Sequence, residues 1–200
     1  MTRDELHRCA YRVFYKDNTV SIEAFHALTD GYGAIASFTT LMAEYLRIRH
    51  GIDIPAVETV RDLEDLPSCQ ETSDDYLRHQ QGRPKHLPSR YAYQIPGTPN
   101  PQWKVLNTTL QYPVQQIIET AHRCGVSANT LLSGVLASTV MEIQEKKHSG
   151  TLQPVRIMVP IDLRRFFESC TLRNFIWYAL PTMEPGDRDL PMEELLKKFM

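Results

Sequence analysis

Helical and strand-like periodicities alternate along this chain, which predicts an α/β fold. Three observations carry that expectation. Residues 9–15 and 19–26 are rich in aromatic and β-branched side chains, and the second run alternates between polar and apolar as far as Ala24. Residues 34–49 and 127–147 repeat apolar positions every three or four residues. Residues 155–159 and 173–180 then return to strand-like composition. There is no internal repeat and no low-complexity segment.

Taken in order, the run at 9–15 and the run at 19–26 flank the turn cluster Lys16-Asp17-Asn18, so an antiparallel hairpin is expected. Val20, Ile22, Ala24 and His26 share one face of the second strand, and Ser21, Glu23 and Phe25 the other. His26 is therefore expected at the strand end on the apolar face, exposed to a cleft. The helix over 34–49 places Ile35, Phe38, Met42, Tyr45, Leu46 and Arg49 on one stripe, with Gly51 just past its end. From 52 to 104 prolines recur and the acids Glu71, Asp74 and Asp75 cluster; this reads as a crossover laid over the surface, with a short helix near 74–81 and a short strand at 91–95.

A strand at 105–112 leads into Pro113 and a helix with Val114, Ile117, Ile118 and Ala121 on its apolar face, closed by Gly125. Ser127 is the N-cap expected for the next helix, in which Leu132, Leu136, Val140 and Ile143 face inward and Gly134, Ala137 and Ser138 keep one side small. His148-Ser149-Gly150 reads as a turn, and 155–159 as a strand ended by Pro160. The division expected is thus 1–51, a crossover at 52–104, and 105–200. An amphipathic helix reaches the last residue, and both ends read as cut from a longer protein.

Composition narrows the function. A net charge of −2 gives no long-range reason to expect nucleic acid or an anionic membrane as partner. No apolar run approaches the roughly 20 residues of a membrane-spanning helix. Cys9, Cys69, Cys124 and Cys170 lie far apart, which fits neither a zinc site nor a disulfide framework and makes a reducing, cytoplasmic setting the default. No metal ligand set, nucleophile elbow or phosphate loop is present.

The chemistry concentrates in Phe25-His26-Ala27-Leu28-Thr29-Asp30-Gly31-Tyr32-Gly33. A neutral histidine held on the wall of a water-poor cleft can take a proton from a hydroxyl or amine near neutral pH. Gly31 and Gly33 would allow unusual torsions and close approach, and the following helix would aim its first amides at the same region. Two readings fit the spacing: His26 as general base with Asp30 holding the turn, or a buried structural histidine with Asp30 as helix N-cap. The other six histidines, His7, His50, His79, His86, His122 and His148, read as solvated surface. Gly31, Gly33 and Ala36 also fit a dinucleotide-binding G-x-G-x-x-A pattern, with Asp53 near the distance of a ribose-binding acid. Against this NAD-dependent alternative stand the alternating strand before it and the charge of Asp30 at the pyrophosphate position.

His26-x-x-x-Asp30-Gly31 resembles the H-x-x-x-D-G signature of the CoA-dependent acyltransferase superfamily, which includes chloramphenicol acetyltransferase and peptide-synthetase condensation domains. Tyr93-Gln94-Ile95-Pro96-Gly97-Thr98-Pro99, Val159-Pro160-Ile161-Asp162-Leu163-Arg164-Arg165 and Thr171-Leu172-Arg173-Asn174-Phe175 resemble its alcohol-acetyltransferase-like branch, in the same order. The resemblance implies a two-lobed α/β fold of the chloramphenicol acetyltransferase type, here incomplete at both ends, with a channel between lobes. It implies an O-acyltransferase in which His26 is the base, Asp30 forms a salt bridge with Arg164 (or Arg165), Gly31 shapes the active-site turn, and Asn174 lines the channel at the acyl or oxyanion site. The implied partners are acyl-CoA or an acyl carrier protein as donor, the former as co-substrate rather than bound cofactor, and a small alcohol or amine as acceptor. A non-catalytic, acyltransferase-like binding or scaffold piece is the other expectation. The chain departs from the family in having Phe25 where many relatives carry a second histidine, in lacking an Asp-Phe-Gly-Trp-Gly run, and in being about half the usual length.

Overall fold

The computed structural model describes residues 3–82, 91–102, 106–147 and 150–200. In chain order its elements are α1 (Arg3–Arg8), β1 (Tyr11–Lys16), β2 (Thr19–Ala24), α2 (Gly31–His50), α3 (Asp75–His79), α4 (Val114–Arg123), α5 (Ala128–Lys147), β3 (Val155–Arg156), β4 (Val159–Asp162), β5 (Ile176–Ala179), β6 (Thr182–Met183) and α6 (Met192–Lys197). The strands form three two-stranded sheets, β1–β2, β3–β6 and β4–β5. The class is mixed α and β, as the alternating periodicities predict. Among the described residues no single helix is long and apolar enough to cross a membrane.

The chain divides into two compact units, Met1–Lys85 with Ile161–Trp177, and His86–Pro160 with Tyr178–Met200. This differs from the division expected at 51 and 104. The described residues 52–82 belong with the first unit, and 161–177 return to it.

In the first unit β1 and β2 pair antiparallel from Tyr11 opposite Ala24 to Lys16 opposite Thr19. The turn between them puts Asp17 at φ 51°, a left-handed conformation that Asp accepts more readily than most residues. Arg12 faces Glu23 across the hairpin, and its guanidinium also meets Glu5 of α1, 2.9 Å away. Strand β2 stops at Ala24, two residues short of the expected end. Helix α2 is capped by Asp30 and closed by Gly51 at φ 65°, whose N–H reaches the Arg47 carbonyl.

The buried face of α2 is Gly33, Ala36, Thr40 and Ala43. The expected stripe is only partly covered: Phe38, Met42 and Leu46 are half-buried, but Ile35 and Tyr45 are about half exposed. The reason lies in residues 59–61, which cross the small face. Thr39 Oγ1 donates to the Thr59 carbonyl and the Arg61 amide donates to Thr40 Oγ1 at 2.9 Å. Irregular backbone needs hydrogen-bond partners when it is covered, and two threonines beside alanines supply them without bulk. Helix α3 forms where a short helix is expected, with Asp74 as N-cap. Asp75, read as part of an acidic surface patch, is instead 1% exposed.

In the second unit Gly125, at φ 68°, turns the chain after α4. Ser127 Oγ accepts the Thr130 amide at 3.1 Å, as an N-cap should. One core cluster joins Ala137, Val140, Met141, Val155, Met183, Leu195 and Phe199; another joins Ala121, Val126, Leu131 and Leu196. Leu132 and Leu136, expected inward, are half exposed. The small side of α5 turns to the core instead, because the Leu196 side chain occupies the space that a Cβ on Gly134 would fill. Buried Gln144 clamps Gln153, accepting its N–H at 2.6 Å and donating to its carbonyl at 3.0 Å.

Residues 91–95 and 106–112 are not strands. The Tyr93 amide donates to the Pro154 carbonyl at 2.9 Å, and its ring packs against the core cluster around Met141. The start of the second expected strand, Val105, lies outside the described residues, as do His148 and Ser149 of the expected turn. The strand expected at 155–159 is two short strands, and Pro160 lies within β4 rather than ending it.

Candidate functional site

The turn that follows β2 is built from backbone bonds to the hairpin and within itself. The Phe25 amide donates to the Ala10 carbonyl at 2.9 Å, extending the hairpin, and the Leu28 amide then reaches back to the Phe25 carbonyl at 2.8 Å. This turn carries His26 off the strand. Thr29 and Asp30 dive inward, 3% and 1% exposed, and α2 begins at Gly31.

Asp30 satisfies three donors. Its Oδ1 accepts the Gly33 amide at 3.2 Å, the N-cap bond. Its Oδ2 accepts Arg164 Nη1 at 2.9 Å and the Phe175 amide at 2.9 Å. The ion pair that the resemblance implies between Asp30 and Arg164 is thus formed, and it is buried, with side-chain exposures of 0% and 7%. Arg165 is exposed and takes no part. Arg164 is fully engaged: Nε donates to the Thr171 carbonyl, Nη1 also to Asp162 Oδ1, and Nη2 to the Arg173 carbonyl at 2.7 Å. The Tyr32 ring covers the guanidinium, 4.7 Å from ring centroid to Cζ.

The segment 171–176 is the other wall of this knot. Leu172 N–H donates to the Glu71 carbonyl at 2.8 Å, Thr171 Oγ1 to the Ser73 carbonyl at 2.7 Å, and Tyr76 Oη to the Ile176 carbonyl. The Leu172 carbonyl accepts Thr29 Oγ1 at 2.6 Å. A Cβ on Gly33 would overlap both that carbonyl oxygen and Thr29 Oγ1, so glycine is needed there for close approach. Gly31 has open space around it, and neither glycine has positive φ, so the unusual torsions expected of them are not used.

An aromatic cluster supports the segment. Phe175, 1% exposed, meets Tyr76 edge-on at 5.3 Å, and His79 stacks at 4.9 Å from Phe167 and 5.9 Å from Phe175. His79 was expected at the solvated surface; the turn of α3 carries it into this cluster instead. Burial alone would raise the Asp75 carboxyl. Hydrogen bonds from Ser169 and Ser73, with the charges of Arg78 and His79, more than offset that and hold it below the ordinary carboxylate range. Burial pushes the Tyr76 hydroxyl up.

His26 itself departs from expectation. It is exposed rather than set in a water-poor cleft on the apolar face of β2, because the Phe25–Leu28 hydrogen bond diverts the chain after Ala24. Among the described residues nothing holds the imidazole by a hydrogen bond, an ion pair or a ring contact. The main chain is held: Asn174 Nδ2 donates to the His26 carbonyl at 3.1 Å. Asn174, expected to line an acyl or oxyanion site, thus directs a donor at the turn's backbone. Two open cavities in this unit, of about 490 and 720 Å³, flank residues 56–63; neither is lined by His26.

The arrangement does not fit a dinucleotide site. The strand before the glycines belongs to an antiparallel hairpin, and the Asp30 carboxylate already occupies the Gly33 amide at the helix start. Asp53 is exposed in the loop after α2. Among the described residues no group of three or more His, Cys, Asp or Glu is placed to hold a metal ion.

No protein-family model, curated protein or solved structure matches the chain.

Sequence reasoning missed Thr29, Tyr32, Asp162 and Thr171, which complete the shell around Asp30 and Arg164. Asp162 carried a signal, an acid two residues before the arginine at a strand end. Thr29 and Thr171 carried none, since their partners are backbone carbonyls of distant segments.

Proposed function

We propose that this chain carries the general-base turn of a thioester-dependent acyltransferase, with His26 as the base. The observation that supports the reading most is the buried Asp30–Arg164 ion pair. It joins residues far apart in sequence and locks the His-x-x-x-Asp-Gly turn from behind, leaving the imidazole outward and open to a substrate. The four resembling stretches, in family order, supply the chemistry.

In this reading a small alcohol or amine hydrogen-bonds to the neutral imidazole. As its oxygen or nitrogen attacks the thioester carbonyl of acetyl-CoA or a related acyl donor, its proton passes to His26. The tetrahedral adduct collapses with cleavage of the C–S bond. The thiolate leaves and takes up the proton from the imidazolium, and the ester or amide is released without an acyl-enzyme. Exclusion of water falls to the bound substrates and to any surface that closes over this face, since the turn does not exclude it.

The test is thiol release from acetyl-CoA in the presence of short alcohols and amines, with the wild type and His26→Ala. Loss of roughly 10²–10⁴ in rate supports the base role; equal rates exclude it.

A second reading has its own support. An exposed imidazole with no orienting partner lacks the usual marks of an activated base, which favours a non-catalytic, acyltransferase-like binding or scaffold piece. Acyl-CoA binding by calorimetry without turnover would favour this reading over the first.

A further inference from the structure

We infer that Asn174 is a positioning residue for the His26 turn, acting through the main-chain carbonyl; its link to catalysis rests on the acyltransferase reading. Three features of the first unit lead to it. Asn174 Nδ2 reaches 148 residues back in sequence to donate to the His26 carbonyl at 3.1 Å. Its other polar atom, Oδ1, is buried and has no hydrogen-bond partner. And Asn174 directly precedes Phe175, whose amide is held by Asp30 Oδ2 and whose ring is buried in the aromatic cluster, so the asparagine's backbone is anchored.

These features separate a positioning role from a packing role. A buried acceptor without a partner costs stability, so an asparagine placed only for stability is poorly chosen here. The same side chain is well chosen for holding His26. The imidazole has no anchor of its own among the described residues, and the Leu28–Phe25 hydrogen bond is the turn's internal one. The Asn174 bond fixes the carbonyl between those two ends. It thereby limits how far the residue bearing the imidazole can rotate, in a stretch that the bonds of Asp30 and Arg164 do not reach. Residues that harbour a local stability cost are those whose removal separates stability from activity.

The experiment uses the full chain with Asn174→Ala and Asn174→Asp. Alanine removes both the donor and the orphan acceptor. Aspartate keeps the shape but sets an oxygen against the His26 carbonyl oxygen. A positioning role predicts that kcat for thiol release falls roughly 10- to 100-fold in Asn174→Ala and further in Asn174→Asp, with KM unchanged. The thermal midpoint of Asn174→Ala stays equal to or above that of the wild type. A packing role predicts the reverse order, with aspartate milder than alanine and the midpoint lowered by alanine; that result overturns the inference. Hydrogen exchange at the Leu28 amide reads the turn without any turnover. Faster exchange there in Asn174→Ala, with the α2 amides unchanged, supports positioning of the turn even if the wild type shows no thiol release, in which case the acyltransferase reading alone fails. Unchanged Leu28 exchange overturns the inference whatever the activity.

Discussion

Replacing Asp30 by Asn tests how the turn is held. The substitution keeps the shape and can keep the cap, since an amide oxygen still accepts the Gly33 N–H. It then turns an NH₂ group toward Arg164 Nη1 and the Phe175 amide, both of which now donate to Oδ2 at 2.9 Å. Two bonds become donor-to-donor clashes, and a guanidinium 7% exposed keeps only Asp162 as its ion partner, itself a third exposed. Breaking a buried pair by removing one charge costs about 3–5 kcal/mol. The expected loss for Asp30→Asn is in that range, set by the orphaned arginine more than by the lost attraction. Arg164→Met in the same background removes the orphaned charge, so the double variant should be more stable than the sum of the two single losses by about 2 kcal/mol. Urea unfolding followed by circular dichroism measures this, provided the slope m is unchanged. A loss under about 1 kcal/mol for Asp30→Asn, or strict additivity in the cycle, would refute the claim that this pair is what holds the turn.

The remaining predictions concern neighbouring positions. Gly33→Ala should destabilise by about 1–3 kcal/mol, because the new methyl meets a backbone carbonyl that cannot move aside, whereas Gly31→Ala, with open space, should be neutral or slightly stabilising; paired denaturation curves compare them. His26→Ala should leave stability within about 0.5 kcal/mol of the wild type, since the side chain is exposed and unpartnered among the described residues, so any loss of thiol release in that variant is not a folding effect. Acidification has a definite sign. The folded-state pKa of Asp75 lies below its unfolded value, as does that of Asp187, where burial opposes but the Lys198 ammonium and the Glu184 amide prevail. The stability each contributes is fully present above the ordinary aspartate pKa and is lost as pH falls through the lower folded value. Thermal midpoints should therefore drop below about pH 4, and less steeply in Asp75→Asn; a midpoint that rises on acidification contradicts this.

The local elements were legible where one segment decides its own structure. The hairpin follows from alternation on both sides of Lys16-Asp17-Asn18, the ends of α2 from Asp30 and Gly51, and the start of α5 from Ser127. Each depends on contacts within a few residues. The ion pair between Asp30 and Arg164 was within reach only because a recurring motif pairs those two residue types, not because spacing showed it.

What the chain by itself determined is therefore the α/β class and the type of most helices and of the first hairpin. Tertiary structure alone decided which face of α2 and α5 is covered. Helical periodicity names a polar and an apolar side, but residues 59–61 and Leu196 needed small neighbours, and close approach outweighed hydrophobic area. It alone decided that His26 stands exposed, through a single turn bond after Ala24, and that Thr29, Thr171 and Asn174 close around the turn. Those three act on backbone carbonyls, and every residue has one, so no pattern of side chains could announce the pairing.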